Sequence, residues 1–149
     1  MVDVTMNEIH RIVALSKKKI GKVHKRYVDI VRIYLGSPIK EEKPFFEARI
    51  DKETVKMTIE HFKAKYDDKG DFLILYGDNI DEKIRRIIVY SGVRQTMNSL
   101  LGKALLEVID SMGELEILFW YSRFINAYDR GNYWDVYRVA KSFRTLYRL

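Results

Sequence analysis

The sequence predicts a single α+β domain: an N-terminal helix, an antiparallel β-meander of about five strands, and three C-terminal helices packed on one face of the sheet. Three observations lead to that class. Apolar residues recur every three or four positions toward both ends of the chain, the spacing of one helix face. Between them, short apolar and aromatic runs are separated by turn residues, as strands are. Residues 114–128, ELEILFWYSRFINAY, are apolar over about three quarters of a helical circumference, so the rest of the chain has to cover them. Helices and strands that fall in separate runs indicate α+β rather than alternating α/β.

Taken in order, Thr5-x-x-Glu8 has the form of a capping box and starts a helix near Met6. Met6, Ile9, Val13, Ile20, Val23, Tyr27, Ile30 and Tyr34 continue its spacing, which read literally is a four-heptad dimerising helix. Against that length, Gly21 weakens the helix, and Tyr27, Val28, Ile30, Val31 and Ile33 are β-branched or aromatic. The expectation is a helix to about Lys25 and a strand from there to Gly36. Gly36-Ser37-Pro38 ends it, and a charged loop over 40–43 leads to a short strand over 44–50.

Residues 55–66 carry two periods: Val55, Ile59, Phe62 and Tyr66 suit a helix, while a second pattern suits a strand. Val55/Met57/Ile59 and Phe62/Ala64/Tyr66 alternate strictly, with a slip at Glu60-His61 that matches a β-bulge. The turn Asp67-Asp68-Lys69-Gly70-Asp71 places glycine where a hairpin needs a left-handed residue, which favours a strand before it and a central returning strand over 72–76. A second turn over 77–83 and a strand over 84–90 complete the meander. From Ser91 the period is helical, through Val93, Met97, Leu100, Leu101, Leu105, Val108 and Met112. The apolar segment over 114–128 follows, with Glu116, Arg123, Asn126 and Arg130 as its wet edge. Gly131 suits a C-terminal cap, and Asn132 an N-terminal cap for a last helix over 133–149.

The 149 residues are 47% hydrophobic and 32% charged, a globular balance. With no cysteine, disulfides, thiolate metal sites and a cysteine nucleophile are excluded. No apolar run approaches the roughly 20 residues of a membrane span, and acidic Asp3 and Glu8 interrupt the start where a secretion signal would be apolar. A cytoplasmic protein without membrane insertion is expected. A single glutamine among abundant Lys, Arg and Glu is a composition associated with hot environments, so a thermophilic source is expected too.

The net charge of +6 is uneven. Residues 1–26 carry seven cations against two carboxylates and residues 130–149 five against one, while the middle is mildly acidic. The first cluster is Lys17, Lys18, Lys19, Lys22, Lys25 and Arg26, with no acid among them. Such density attracts polyanions, although a solvated cationic surface is the commoner outcome.

On the last helix, Val136, Val139, Ala140, Phe143, Leu146 and Tyr147 form the expected buried side. Opposite them stand Arg138, Lys141, Arg144, Thr145 and Arg148, with Trp134 and Tyr137 among them. Cations neutralise phosphate and aromatic rings stack on unpaired bases, the combination that single-stranded nucleic acid requires. The plainer account is that cations in a last turn complement the helix dipole and Trp134 packs on a neighbour.

Other chemistry is thin. His10, His24 and His61 lack paired zinc spacing, and the carboxylates Asp67, Asp68 and Asp71, or Asp78, Asp81 and Glu82, fit no calcium loop. No phosphate loop, dinucleotide fingerprint or nucleophile elbow occurs. Glu60 beside His61 is an acid–base pair only if the bulge re-aims one of them. No catalytic residue, metal or cofactor is therefore expected.

The first reading is a non-enzymatic binder of RNA or DNA, most persuasive if the two basic ends share a surface. The second is a protein-interaction or assembly subunit, a homo-oligomer included, using the first helix and the C-terminal aromatics. The third is a small-molecule binder or enzyme with a pocket between sheet and helices.

Overall fold

The computed structural model describes residues 27–35, 46–77 and 79–149. The predicted N-terminal helix and the loop at 40–43 lie outside them. The chain divides into two compact units, with the boundary between Ile84 and Arg85.

In the first unit, β1 (Tyr27–Leu35) and β2 (Phe46–Asp51) pair antiparallel, α1 spans Lys52–Phe62, and β3 (Lys65–Tyr66) pairs antiparallel with β4 (Leu73–Gly77). The sheet order is β2-β1-β4-β3. β1 and β4 run parallel, in the register Val31↔Leu73 to Leu35↔Gly77. The fold is thus α+β with a mixed sheet of four strands, which corrects the expected all-antiparallel meander. The returning strand is interior, as its apolar faces require, but its inner neighbour is β1.

Strand alternation sorts the side chains. Val31, Ile33, Leu73, Leu75 and Ile50 are buried on one side, and α1 lies against β1 and β2. Ile30, Arg32, Tyr34, Ile74 and Tyr76 occupy the other side.

The expected strand over 55–66 is instead α1 followed by the two residues of β3. Its start is an N-cap: Asp51 is extended, and its carboxylate accepts the Thr54 N–H at 2.9 Å and also the Thr54 hydroxyl. The buried positions, Thr54, Val55, Met57 and Thr58, have helical spacing. Thr58 donates its hydroxyl to the Thr54 carbonyl at 2.7 Å, so the polar groups on this buried face are satisfied. Ile59, the third member of the alternating set, is 36% exposed and so does not share the burial of Val55 and Met57. The hairpin turn is as expected: Gly70 has φ 73°, and the Asp67 carboxylate accepts the N–H groups of Asp71 and Phe72 at 2.7 and 3.1 Å.

The expected strand over 84–90 is part of α2 (Ile80–Arg94). Its β-branched run suits a strand locally, but Ile80, Ile84, Ile87, Ile88 and Ser91 repeat at three and four and each is buried. Asp81 and Glu82 in the first turn complement the helix dipole.

The helix expected from Ser91 to Met112 is broken. After α2 come a loop, a short 3-10 turn (Ser99–Leu101) whose first N–H groups are capped by Asn98, and α3 (Gly102–Ser111). Leu100, expected on the apolar face, is 85% exposed.

The second unit continues with α4 (Glu114–Asp129) and α5 (Tyr133–Tyr147), and the three C-terminal helices pack together. Trp120 stacks edge-on against Phe143 and donates its indole N–H to the Tyr147 hydroxyl at 3.0 Å. Tyr147 in turn donates to the Glu116 carboxylate. These contacts set the start of α4 beside the end of α5, so the pair is antiparallel. Gly131 has φ 64° and Asn132 caps α5, both as expected. The strip Glu116, Arg123, Asn126 and Arg130 is exposed as predicted, but Leu115 and Phe119 also face water, a correction to their place in the core.

Arginines fasten the helix ends. Arg86 donates to the carbonyls of Ile109 and Met112, Arg94 to Met97 at 2.9 Å, and Arg144 to Thr96 at 2.6 Å. Arg86 thereby places positive charge where the end of α3 leaves partial negative charge, while Arg94 and Arg144 bond carbonyls of the turn that follows α2.

Candidate nucleic-acid interface

Lys17, Lys18, Lys19, Lys22, Lys25 and Arg26 lie outside the described residues. The other six predicted residues all fall on α5, and the structure divides them.

α5 begins where the Asn132 side chain accepts the Trp134 N–H at 2.9 Å. One turn-to-turn stripe, Val136, Val139, Ala140 and Phe143, is buried against the rest of its unit. That burial fixes the rotation of the helix. Trp134, Arg138, Lys141 and Thr145 then share the opposite side, with Arg148 beyond the last turn, and all five are exposed.

Trp134 is 61% exposed. Its ring lies 6.2 Å from Tyr133 and 5.8 Å from Tyr137, edge to face with both, so neighbours hold it at the surface without covering it. Tyr137 is half-buried and acts as that support.

Arg138 donates to Asp135 at 2.9 Å, one helical turn away, with its side chain still 73% exposed. A pair this wet contributes about 0–1 kcal/mol, too little to hold the guanidinium from a stronger anion. Lys141 has no partner among the described residues.

Arg144 departs from the prediction. Its guanidinium is turned inward onto the Thr96 carbonyl, and its Nε is buried without a hydrogen-bond partner. The guanidinium is engaged within its own unit, and Arg144 is half-buried where the other cations of α5 are exposed. Leu146, expected inside, is 64% exposed. Together with Ser142 it joins Arg138, Lys141 and Thr145 around a shallow surface depression. The depression combines two cations, two hydroxyls and an apolar side chain.

The sheet holds an aromatic cluster that the sequence reading missed. Tyr34 and Tyr76 stack with centroids 5.2 Å apart, and Arg32 lies 3.4 Å over the Phe72 ring while bonding Glu47 at 2.8 Å. Burial first, and the neighbouring Tyr34 second, push the Tyr76 phenol above its ordinary value. Beside Tyr76, a second depression is lined by Lys63, Lys65, Tyr66, Asp67, Asp68 and Ile74. Its two cations face two acids, so it has no net attraction for an anion. The one-residue-in-two spacing of Arg32/Tyr34 and Ile74/Tyr76 was readable; their parallel register was not.

Elsewhere, Glu60 and His61 are exposed in the last turn of α1. Among the described residues no three His, Asp or Glu gather as metal ligands, and no helix is long and apolar enough to cross a membrane. The α5 face presents an aromatic plane and solvent-exposed cations side by side, which is its one distinctive chemical feature. No protein-family model matches the chain, and no curated protein or solved structure matches it.

Proposed function

We propose that this protein is a non-enzymatic nucleic-acid binder whose contact surface is the exposed face of α5. The observation that carries the reading is the position of Trp134, 61% exposed on the same side as Arg138, Lys141 and Arg148. Phosphate attracts the cations and releases its counterions, and the indole supplies contact area that a solvated charge patch lacks. The cluster Lys17, Lys18, Lys19, Lys22, Lys25 and Arg26 supports the same reading through its charge. Titration of the full chain with oligonucleotides at increasing salt tests it. Each phosphate contact steepens the salt slope by about 0.7 to 0.9, so the double variant Lys141→Ala/Arg148→Ala should flatten it by about 1.5. No binding at low salt, or a slope indifferent to both substitutions, refutes the assignment.

A second reading has its own observation. Leu115, Phe119 and Leu146 are exposed at the end of the α4–α5 pair that Tyr147 joins to Glu116. Large apolar side chains gathered at one end of a helix pair suit a protein interface. A monomeric mass in solution, unchanged by Leu115→Glu, speaks against self-assembly there.

A further inference from the structure

Resting on the nucleic-acid reading of α5, we infer that its ligand is a single strand, with an unpaired base stacked on Trp134 and the backbone running along α5 past Lys141 toward Arg148. Three features of the face separate a strand from a duplex.

The first is the indole itself. Trp134 is anchored at the helix start by the Asn132 cap and flanked by the rings of Tyr133 and Tyr137, yet stays 61% exposed. Bases within a duplex have both faces covered by their neighbours, so an aromatic plane gains nothing by stacking there. An unpaired base presents a free face to it.

The second is charge. Arg144 is turned onto the Thr96 carbonyl and Arg138 is shared with Asp135, which leaves Lys141 and Arg148 as the cations of this face without a carboxylate partner among the described residues. A protein gripping a duplex through its backbone makes roughly 6–10 phosphate contacts. This face supplies far fewer, and suits a ligand whose affinity is shared between stacking and charge.

The third is shape. The depression beside Arg138 and Lys141 is lined also by Leu146, Ser142 and Thr145. It is shallow and part apolar, with hydroxyls that both donate and accept, so it matches a splayed nucleotide better than a phosphate ridge. From Trp134 to Arg148 the helix rises about 21 Å, at about 1.5 Å per residue. That length accommodates about six nucleotides at a stacked spacing of about 3.4 Å.

The chain has two tryptophans, and Trp120 is buried, so Trp134 is the accessible fluorophore. The test uses the full chain with oligothymidylate, and with the same strand annealed to its complement. The single strand should quench the emission, and Trp134→Phe should abolish the quenching while circular dichroism shows an unchanged fold. Trp134→Ala should weaken single-strand binding about 5- to 100-fold, the effect of losing one stacked base, and leave duplex binding unchanged. Duplex bound as tightly as the strand, with Trp134→Ala neutral for both, overturns this inference while the nucleic-acid reading survives. Binding of neither form removes both.

Discussion

Trp120 in α4 and Trp134 in α5 share a residue type and stand on successive helices, but Trp120 is 4% exposed and Trp134 61%. Trp120 has every part of its ring matched. Phe143 lies 5.1 Å away edge-on, Phe119 5.2 Å away, and its N–H is bonded to Tyr147. Trp134 has two half-buried aromatic neighbours and no hydrogen-bond partner for its N–H among the described residues. Burial of a tryptophan requires a partner for its polar tip as well as apolar neighbours, and only Trp120 has both. The difference separates an aromatic residue that the fold consumes, Trp120, from one that it leaves at the surface, Trp134.

The sharpest way to break this comparison is to truncate both rings. Trp120→Ala should cost about 3–5 kcal/mol in urea unfolding, through the cavity it opens and the contacts it strips from Phe143. Trp134→Ala should stay within about 0.5 kcal/mol. Equal losses would mean that Trp134 is core after all.

Next in size is Gly92, which lies in α2 against the ring of Phe124, a residue of the same helix as Trp120. A Cβ built there falls 2.5 Å from Phe124 Cε1, and Phe124 is fully buried, so the ring has nowhere to turn. Replacing a helical glycine by alanine ordinarily gains about 1 kcal/mol. Overpacking here costs about 1–3 kcal/mol, so Gly92→Ala should be net destabilising. A raised melting temperature would show that this side of α4 is looser than its packing implies.

The smallest effect belongs to the hydroxyl that satisfies Trp120. Tyr147→Phe deletes the acceptor for the indole N–H and the donor to Glu116, and should cost about 1 kcal/mol. Burial, and then the bond to Glu116, raise the Tyr147 phenol above its ordinary value of 10.0. Because the folded state resists losing that proton, its contribution is complete below pH 10.0 and lost as pH rises through the higher folded value. Stability curves of wild type and Tyr147→Phe should therefore converge in strong alkali; parallel curves would show that this hydroxyl does not titrate differently on folding.

The same contrast between matched and unmatched residues explains what was legible in the sequence. The apolar circumference of 114–128, the Gly131-Asn132 junction and the buried stripe of α5 all follow from local periods and caps, and the structure has them. The segments over 55–62 and 84–90 are helical although β-branched side chains and short alternations favour a strand locally, because burial and capping decide for helix; only Lys65–Tyr66 keep the expected strand. Asp51, spaced three before Thr54 as a cap requires, was the overlooked signal. The parallel pairing of β1 with β4 has no local signature, since register across a crossover depends on what lies between the strands. On α5, Trp134, Lys141 and Arg148 could be placed by helical arithmetic. Arg144 could not, because its partner carbonyl is 48 residues away.

That distant bond carries a consequence for synthesis. Thr96 leaves the ribosome long before Arg144, so the loop between α2 and α3 has to wait, one fastening short, until nearly fifty more residues have been translated. During that interval the turn after α2 has its local ties, the Arg94 guanidinium on the Met97 carbonyl and the Thr96 hydroxyl on the Val93 carbonyl, and the last helix arrives as the latch that closes what the earlier ones began.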